Sequence, residues 1–233
     1  MSEPPKRRMV RPPARGGDGR GLATRVRASR AHSPSSKAWL ERQLNDDFVR
    51  AAKAEGYRSR AAYKLRAIDD RFHLIRRGAA LIDLGCAPGG WLQVAVERRA
   101  GAVVGIDILP VAPIAGVTLL EMDFTDPAAA TRLVEALGRA PDLILSDMAP
   151  NTTGHRTTDH LRIVALIEAA AAFAGEVLKP GGALVTKAFQ GGETADVVAA
   201  LKRRFANVRH VKPKASRAES AEVYIVATGF KGR

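Results

Sequence analysis

The 233-residue sequence predicts an α/β fold in which helices cover both faces of a mostly parallel sheet. Short apolar runs alternate with helix-length segments along most of the chain, which is the pattern of parallel strands joined by crossover helices. The first of these runs, residues 79–84, leads directly into the glycine-rich segment 85–91. A buried strand that ends in such a turn and opens a helix is typical of nucleotide-binding α/β folds.

Two helices are predicted ahead of the first strand. Apolar residues recur at helical spacing over residues 39–54, and Gly56 ends that helix. Ser59 is predicted to cap a second helix over residues 60–73. On this helix Lys64 falls beside the apolar face rather than opposite it.

The rest of the chain predicts seven strands and the helices that connect them. Each strand is indicated by a short apolar run, and each helix by apolar residues at helical spacing. The predicted strands are 79–84, 102–106, 117–121, 142–146, 182–188, 207–212 and 221–228; the predicted helices begin at Gly90 and cover 127–138, 157–178 and 193–205. The last two strands have no helix between them, so we expect an antiparallel hairpin at one edge of the sheet.

Length and charge predict a single domain over residues 38–233, preceded by a disordered basic arm over residues 1–37. The arm contains ten of the 37 Lys and Arg residues and two of the 24 Asp and Glu residues, with frequent Pro, Gly and Ser. Such an arm attracts phosphate groups without sequence preference. The alternative is a solvated tail that only aids solubility.

Composition also bounds the protein's environment. Hydrophobic residues make up 46% of the chain, but no uninterrupted apolar run reaches membrane-spanning length, which predicts a protein without a membrane anchor. Cys86 is the one cysteine, so an intrachain disulfide is excluded and a reducing cytoplasm is expected. No His/Cys cluster has metal-ligand spacing, so no metal is expected.

The predicted strand ends indicate a ligand that carries an adenosine but no phosphates. The glycine-rich loop departs from G-x-G-x-x-G spacing, and Pro88 removes a backbone N–H that could bind a pyrophosphate. Asp107 ends the next strand, where such folds hold ribose hydroxyls. Asp123 follows the third strand and suits an adenine amino group. S-adenosylmethionine fits these features better than a nicotinamide dinucleotide, although each acid alone could be a helix cap or turn residue.

Four ionisable residues stand where the apolar pattern does not predict them: Lys64, Asp147, Lys187 and Glu222. A lysine near the end of a buried strand is costly unless it is paired. The carboxyl ends of strands in open α/β sheets line the ligand crevice. Lys187 and Asp147 are therefore expected to face the same cleft as the glycine-rich loop. A solvated charge at a strand end is the alternative for each of them.

Five segments together resemble the FtsJ/RlmE family, the heat-shock ribosomal RNA 2′-O-ribose methyltransferases. The resemblance covers about residues 38–230 in the family's order and spacing, and residues 1–37 match nothing in its pattern. The five segments are 59–65, 83–91, 146–151, 187–191 and 220–228.

The resemblance implies a Rossmann-like, S-adenosylmethionine-dependent methyltransferase fold with seven strands, the last of them antiparallel. The catalytic tetrad that it implies consists of Lys64, Asp147, Lys187 and Glu222. The cofactor contacts that it implies are Gly89, Trp91, Asp107, Asp123 and Asp147, with an ordinary core tryptophan as the alternative for Trp91. For bacterial members it implies methylation of a uridine in the A-loop of 23S-type rRNA, in the large ribosomal subunit, by a cytoplasmic protein that we expect to be a monomer.

The residue types suit that chemistry. Lys187 is expected to deprotonate or orient the ribose hydroxyl, Glu222 to hold a lysine, and Asp147 to bridge the cofactor and lysine sides. RNA contacts are expected from the basic arm and from Arg58, Arg60, Arg66, His155, Arg156, Lys212, Lys214 and Arg217. A solvated surface is the alternative for each cluster. Two other functions remain open: the same reaction on a tRNA, and a non-catalytic ribosome-assembly factor that keeps the fold.

Overall fold

The computed structural model describes residues 46–150, 156–190, 194–217 and 220–232, apart from the side chains of 156–160. The helices are α1 (Asp47–Ala54), α2 (Ala61–Phe72), α3 (Gly90–Glu97), α4 (Ala129–Leu137), α5 (Arg156–Val177) and α6 (Ala195–Arg204). The strands are β1 (Ala80–Leu84), β2 (Ala102–Asp107), β3 (Val117–Glu121), β4 (Leu143–Ser146), β5 (Ala183–Phe189), β6 (Phe205–Val211) and β7 (Glu222–Phe230). None of the helices in these ranges has the length and apolar character needed to cross a membrane.

All seven strands join one sheet in the order β3-β2-β1-β4-β5-β7-β6. Strand β7 lies between β5 and β6 and runs antiparallel to both, whereas the other neighbouring strands pair in parallel. The predicted seven-stranded, mostly parallel sheet with an antiparallel last strand is thereby confirmed. Because β7 runs in the opposite direction, its first residue, Glu222, pairs with Phe189 at the carboxyl end of β5.

Helices cover both faces of the sheet because successive strand residues point to opposite sides. In β1, Leu81 belongs to a core that includes Leu65 of α2 and Leu92 of α3. The next residue, Ile82, belongs to a second core formed with α4, α5 and α6, which includes Leu133. Every residue of β1 and β4 is buried, as expected for central parallel strands.

The start of α2 differs from the sequence prediction. Helix α2 begins at Ala61 with Arg60 as its N-cap residue, and no side chain caps it. A Cβ placed on Gly90 would lie 2.5 Å from the Ser59 hydroxyl, so the Ser59 side chain packs against the start of α3. The prediction of a Ser59 cap was wrong because packing between two helices determines where this hydroxyl lies.

The predicted first helix is seen in its second half, as α1. Residues 39–45, where that helix was predicted to start, lie outside the described ranges. The basic arm over residues 1–37 also lies outside them, so the arm and the domain boundary at residue 38 stay predictions.

Candidate active site and cofactor cavity

Residues from four strands meet along one edge of the sheet. Asp107 ends β2, and Asp147 directly follows β4. Lys187 lies in the last half of β5, and Glu222 opens the antiparallel β7. The reversed direction of β7 therefore brings its first residues to the edge at which the parallel strands finish.

A cavity of about 690 Å³ opens at this edge. This volume lies within the range of roughly 300–1,000 Å³ that is usual for small-molecule sites. Its lining includes the predicted cofactor residues Asp107, Asp123 and Asp147. Gly85 of the glycine-rich loop lines it as well, together with the apolar side chains of Ile108 and Leu109 on the loop after β2.

Two carboxylates of the cavity are held by short loops. Asp107 accepts hydrogen bonds from the backbone N–H of Ala87 at 2.8 Å and of Leu109 at 2.9 Å. Asp123 accepts two hydrogen bonds at Oδ1, from the backbone N–H and the hydroxyl of Thr125. These bonds lower the pKa of Asp123, so its carboxylate is an acceptor at neutral pH. Both acids suit ligand groups that donate hydrogen bonds.

Gly89 and Trp91 are not among the described residues that line the cavity. Gly89 precedes α3 with a φ of 108°, a conformation that disfavours other residues. The buried Trp91 donates its indole N–H to the Ala61 carbonyl at 2.8 Å, and its ring centroid lies 5.6 Å from that of Tyr224. Trp91 therefore links α3 to α2 and β7, and its contact with a cofactor stays a prediction.

The four residues of the predicted tetrad form two ion pairs. The ammonium of Lys64 lies 2.7 Å from Oε2 of Glu222. The ammonium of Lys187 lies 2.9 Å from Oδ1 of Asp147 and donates to the backbone carbonyl of Asp147 at 2.7 Å. All four side chains are largely buried, with exposed fractions between 11% and 19%. Each lysine therefore has a fixed acidic partner.

Tyr224 connects the two ion pairs, and the sequence analysis missed it. Its hydroxyl donates to Oδ1 of Asp147 at 2.7 Å, and its ring lies 5.9 Å from the Lys64 ammonium. Burial, followed by the nearby carboxylates of Asp147 and Glu222, raises the pKa of Tyr224 well above its usual value. The phenol therefore stays protonated and acts as a donor. The sequence signal was a tyrosine two residues after Glu222, within the apolar run 223–227.

Ser216 holds the second oxygen of Glu222. Its hydroxyl donates to Oε1 at 2.8 Å, whereas Lys64 bonds to Oε2. Burial alone would raise the pKa of Glu222, but the charge and hydrogen bond of Lys64, the hydrogen bond from Ser216 and the charge of Lys187 outweigh it and lower the pKa. Both oxygens of a largely buried anion are thus stabilised.

A second buried acid, Asp83, has an environment opposite to that of Glu222. It lies in β1 with 1% of its surface exposed, and neither carboxylate oxygen has a hydrogen-bond partner in the described part of the chain. Burial, and then the charges of Asp147 and Asp107, raise the pKa of Asp83 well above its usual value. The acid that interrupts the apolar run of β1 was the sequence signal for this residue.

Cations expected to contact RNA also have partners within the protein. Arg60 donates to the Ala215 carbonyl, and Arg66 pairs with Glu55 at 3.0 Å. Lys212 donates to the Ser220 carbonyl at 2.8 Å. Arg58 bonds to three carbonyls, as described below. His155 and the side chain of Arg156 lie outside the described residues, so the RNA contacts stay predictions.

The model of a known family matches residues 57–230, and its description is FtsJ-like methyltransferase. The chain belongs to the FtsJ-like methyltransferase family. The match includes every residue of the two ion pairs, which confirms the resemblance derived from the sequence.

Close relatives of this FtsJ-like chain support the assignment. A ribosomal RNA large subunit methyltransferase E from Caulobacter vibrioides is 62% identical over 226 residues, covering 97% of this chain and all of the relative. One of the same name from Acidiphilium cryptum is 58% identical over 215 residues, covering 92% of this chain and 96% of the relative.

Solved structures agree on the fold. A Plasmodium falciparum protein named as a ribosomal RNA methyltransferase is 31% identical, with a TM-score of 0.69, and covers 76% of this chain and 100% of its own. A Lactococcus lactis protein named as a hemolysin is 17% identical, with a TM-score of 0.51, and covers 76% of this chain and 90% of its own. The second likeness shows a shared fold alone, because one fold serves many functions.

Proposed function

We propose that the protein transfers a methyl group from S-adenosylmethionine to the ribose 2′-hydroxyl of a uridine in large-subunit ribosomal RNA, with the A-loop as the expected position. The observation that carries the proposal is the Lys187–Asp147 ion pair, which joins a lysine to the wall of a cavity of small-molecule size. The names of the close relatives support ribosomal RNA as the substrate.

The cavity fits an adenosine-containing cofactor. A Cβ placed on Gly85 would lie 2.7 Å from the Met148 side chain, so this part of the lining leaves no room for a larger residue. Asp107 would hold ribose hydroxyls, and Asp123 would accept a hydrogen bond from the adenine amino group. When bound, S-adenosylmethionine supplies a methyl carbon that is electrophilic because it is attached to a positively charged sulfur.

Lys187 is placed to act on the hydroxyl that attacks this carbon. An ammonium has three N–H donors, and the carbonyl and carboxylate of Asp147 accept two of them. The remaining position of the nitrogen can orient the ribose hydroxyl by a hydrogen bond, or accept its proton when the amine is neutral. Methyl transfer is an in-line displacement, so fixing the direction of the hydroxyl contributes much of the rate.

The second pair supports the first from the neighbouring strand. Glu222 fixes the Lys64 ammonium, and the Tyr224 ring lies beneath that ammonium while its hydroxyl bonds to Asp147. In the proposed reaction Lys64 contributes positive charge on the side of the site where the attacking oxygen develops negative charge. Such preorganised charge is among the larger contributions to enzyme catalysis.

The test is transfer of labelled methyl from S-adenosylmethionine to purified large subunits that lack the modification, with naked rRNA and tRNA assayed in parallel. We expect label at one rRNA uridine with the wild-type protein and none with Lys187→Ala. Lys179→Ala is the matched control, because Lys179 also pairs with an aspartate, Asp142, but this aspartate precedes β4 and so lies away from the carboxyl ends of the strands.

Other outcomes would redirect the proposal. Label on tRNA alone would keep the chemistry and overturn the substrate. Absence of label on every RNA, with tight binding of S-adenosylmethionine, would favour an assembly factor that keeps the fold. Rescue of large-subunit assembly by Lys187→Ala would support the same conclusion.

A further inference from the structure

Arg58 connects two loops that border the cavity. Its guanidinium donates to the carbonyl of Pro88 at 3.3 Å, of Ala112 at 2.6 Å and of Pro113 at 2.9 Å. Pro88 belongs to the glycine-rich loop between β1 and α3, and the other two belong to the loop between β2 and β3. A single side chain thus bonds to the backbone of both loops.

The packing around Arg58 is close. A Cβ placed on Gly89 would lie 2.9 Å from Nη1 of Arg58 and 3.0 Å from the Ile114 side chain. The backbone N–H of Arg58 donates to the Gln93 side chain at 2.8 Å, and Gln93 in turn donates to the Gly56 carbonyl at 2.9 Å. Gln93 lies in α3, so the position of Arg58 is fixed relative to the helix that the glycine-rich loop opens.

Asp107 joins the same two loops from the side of the cavity. Its carboxylate accepts from the backbone N–H of Ala87 in one loop and of Leu109 in the other. Arg58 therefore bonds to carbonyl groups of the two loops while Asp107 bonds to their amide groups. Ile108 and Leu109, which line the cavity, belong to the β2–β3 loop that both side chains contact.

We propose that Arg58 is a positioning residue for the cofactor cavity, which holds the β2–β3 loop against the glycine-rich loop before the cofactor binds. This inference rests on the proposed function, because it takes S-adenosylmethionine to be the ligand of the cavity. A binding site that is already ordered loses less conformational freedom when the ligand arrives, which strengthens binding. A lysine would replace Arg58 poorly, since an ammonium lacks the planar fork that reaches carbonyls of two loops at once.

The inference gives Arg58 a different role from a direct RNA contact, and the two roles predict different measurements. A cation that binds a phosphate contributes to the salt dependence of RNA affinity and has no effect on cofactor affinity. A cation that holds the two loops changes cofactor affinity and leaves the salt dependence of RNA binding as it was.

The experiment measures the Kd of S-adenosylmethionine and of S-adenosylhomocysteine by calorimetry for wild type, Arg58→Ala and Arg58→Lys. Arg139→Ala is the matched control, because Arg139 also donates to a backbone carbonyl, that of Gly78, but does so at the amino ends of the strands, where it pairs with Asp142. We expect Arg58→Ala to raise both Kd values on the order of tenfold, because the cost of ordering the two loops then falls on the binding step. Arg58→Lys should recover part of this loss, and Arg139→Ala should match wild type.

Hydrogen exchange of the cofactor-free proteins adds a readout that does not depend on activity. We expect faster exchange at residues 108–116 in Arg58→Ala than in wild type or Arg139→Ala. If Arg58→Ala does not fold, Arg58→Lys provides the same comparison, because it keeps the charge and the bulk of the side chain.

Three results would overturn the inference or its basis. Unchanged Kd values in Arg58→Ala, with a salt slope for rRNA binding reduced by about one, would make Arg58 an RNA contact. Unchanged Kd values and unchanged loop exchange would remove it from both roles. A wild-type protein that binds neither cofactor form would overturn the proposed function itself, which distinguishes that failure from a failure of the Arg58 inference.

Discussion

Two largely buried aspartates, Asp83 in β1 and Asp147 directly after β4, differ in the hydrogen-bond donors that surround their carboxyl groups. Asp83 in β1 pairs in register with Leu145, two residues before Asp147. Asp147 receives hydrogen bonds from Lys187 and Tyr224. Asp83 has no hydrogen-bond partner within the described ranges, and burial raises its pKa well above the usual value.

This difference in hydrogen-bond partners divides the edge of the sheet into two sides. On the side of β5 and β7, each acid is paired with a lysine, and the charges are held in fixed positions. On the side of β1 and β2, the acids face the cavity or lie just behind it. None of these acids has a lysine partner among the described residues. The acidic side therefore suits ligand groups that donate hydrogen bonds.

The largest expected effect comes from removing the lysine partner of Asp147, so that its carboxyl group has fewer hydrogen-bond donors and becomes more like that of Asp83. Lys187→Ala removes the lysine of Asp147 and leaves Tyr224 as its described donor. We expect the single-turnover rate of methyl transfer at saturating cofactor to fall on the order of 10²-fold or more, because proton transfer or hydroxyl alignment is lost. Rapid-quench measurement with labelled cofactor checks this. A rate close to that of Lys179→Ala would exclude Lys187 from the mechanism.

The second prediction concerns the stability cost of Asp83. Its folded-state pKa is raised above its unfolded value, so the folded state binds the proton more tightly. The stability that this contributes is full below the unfolded pKa and is lost as pH rises through the folded pKa, by about 1.4 kcal/mol for each pH unit that separates the two pKa values. Asp83→Asn should lack this loss in denaturant unfolding measured across pH. Parallel pH profiles for wild type and variant would contradict the prediction.

Glu222 should show the opposite dependence on pH. Its folded-state pKa is lowered, so its contribution to stability is present above the unfolded pKa and is lost as pH falls through the folded pKa. Glu222→Gln should remove this acid-side loss and lower stability at neutral pH by roughly 1–3 kcal/mol. Chemical unfolding at neutral and acidic pH measures both effects. A variant that keeps the wild-type acid-side loss would show that Lys64 does not stabilise the Glu222 anion.

The smallest expected effect tests the hydrogen bond from Ser216 to Glu222. Ser216→Ala should raise the pKa of Glu222 while Lys64 remains in place, and so move the acid-side loss of stability to higher pH. Carboxyl carbon chemical shifts followed by NMR titration report this pKa directly. Ser216→Thr, which retains a hydroxyl, is the control. An unchanged titration of Glu222 in Ser216→Ala would assign the lowered pKa to the lysines alone.

Much of the candidate site could be predicted from the sequence because its charged residues interrupt apolar patterns. Lys64, Asp147, Lys187 and Glu222 stood out for that reason, and the structure brings all four to one edge. Which lysine pairs with which acid could not be predicted, since Lys64 and Glu222 are 158 residues apart and meet because β7 is inserted beside β5.

Residues that resemble ordinary core or surface positions were harder to interpret. Tyr224 has the pattern of a buried strand residue, and its hydrogen bond to Asp147 depends on the register between β5 and β7. Arg58 has the pattern of a surface cation, but the carbonyls that it contacts belong to loops that are distant in sequence. Ser59 is a residue type that often caps a helix, but its packing against Gly90 overrides that local preference.

The position of β7 has a consequence for the order in which the protein is made. This strand is synthesised after the other six, yet it lies between β5 and β6 and supplies both Glu222 and Tyr224. During translation, β5 and β6 therefore emerge from the ribosome before the strand that must separate them. A nascent chain has neither a complete sheet nor both ion pairs until β7 has left the exit tunnel, so the proposed catalytic residues come together only after this strand has been made.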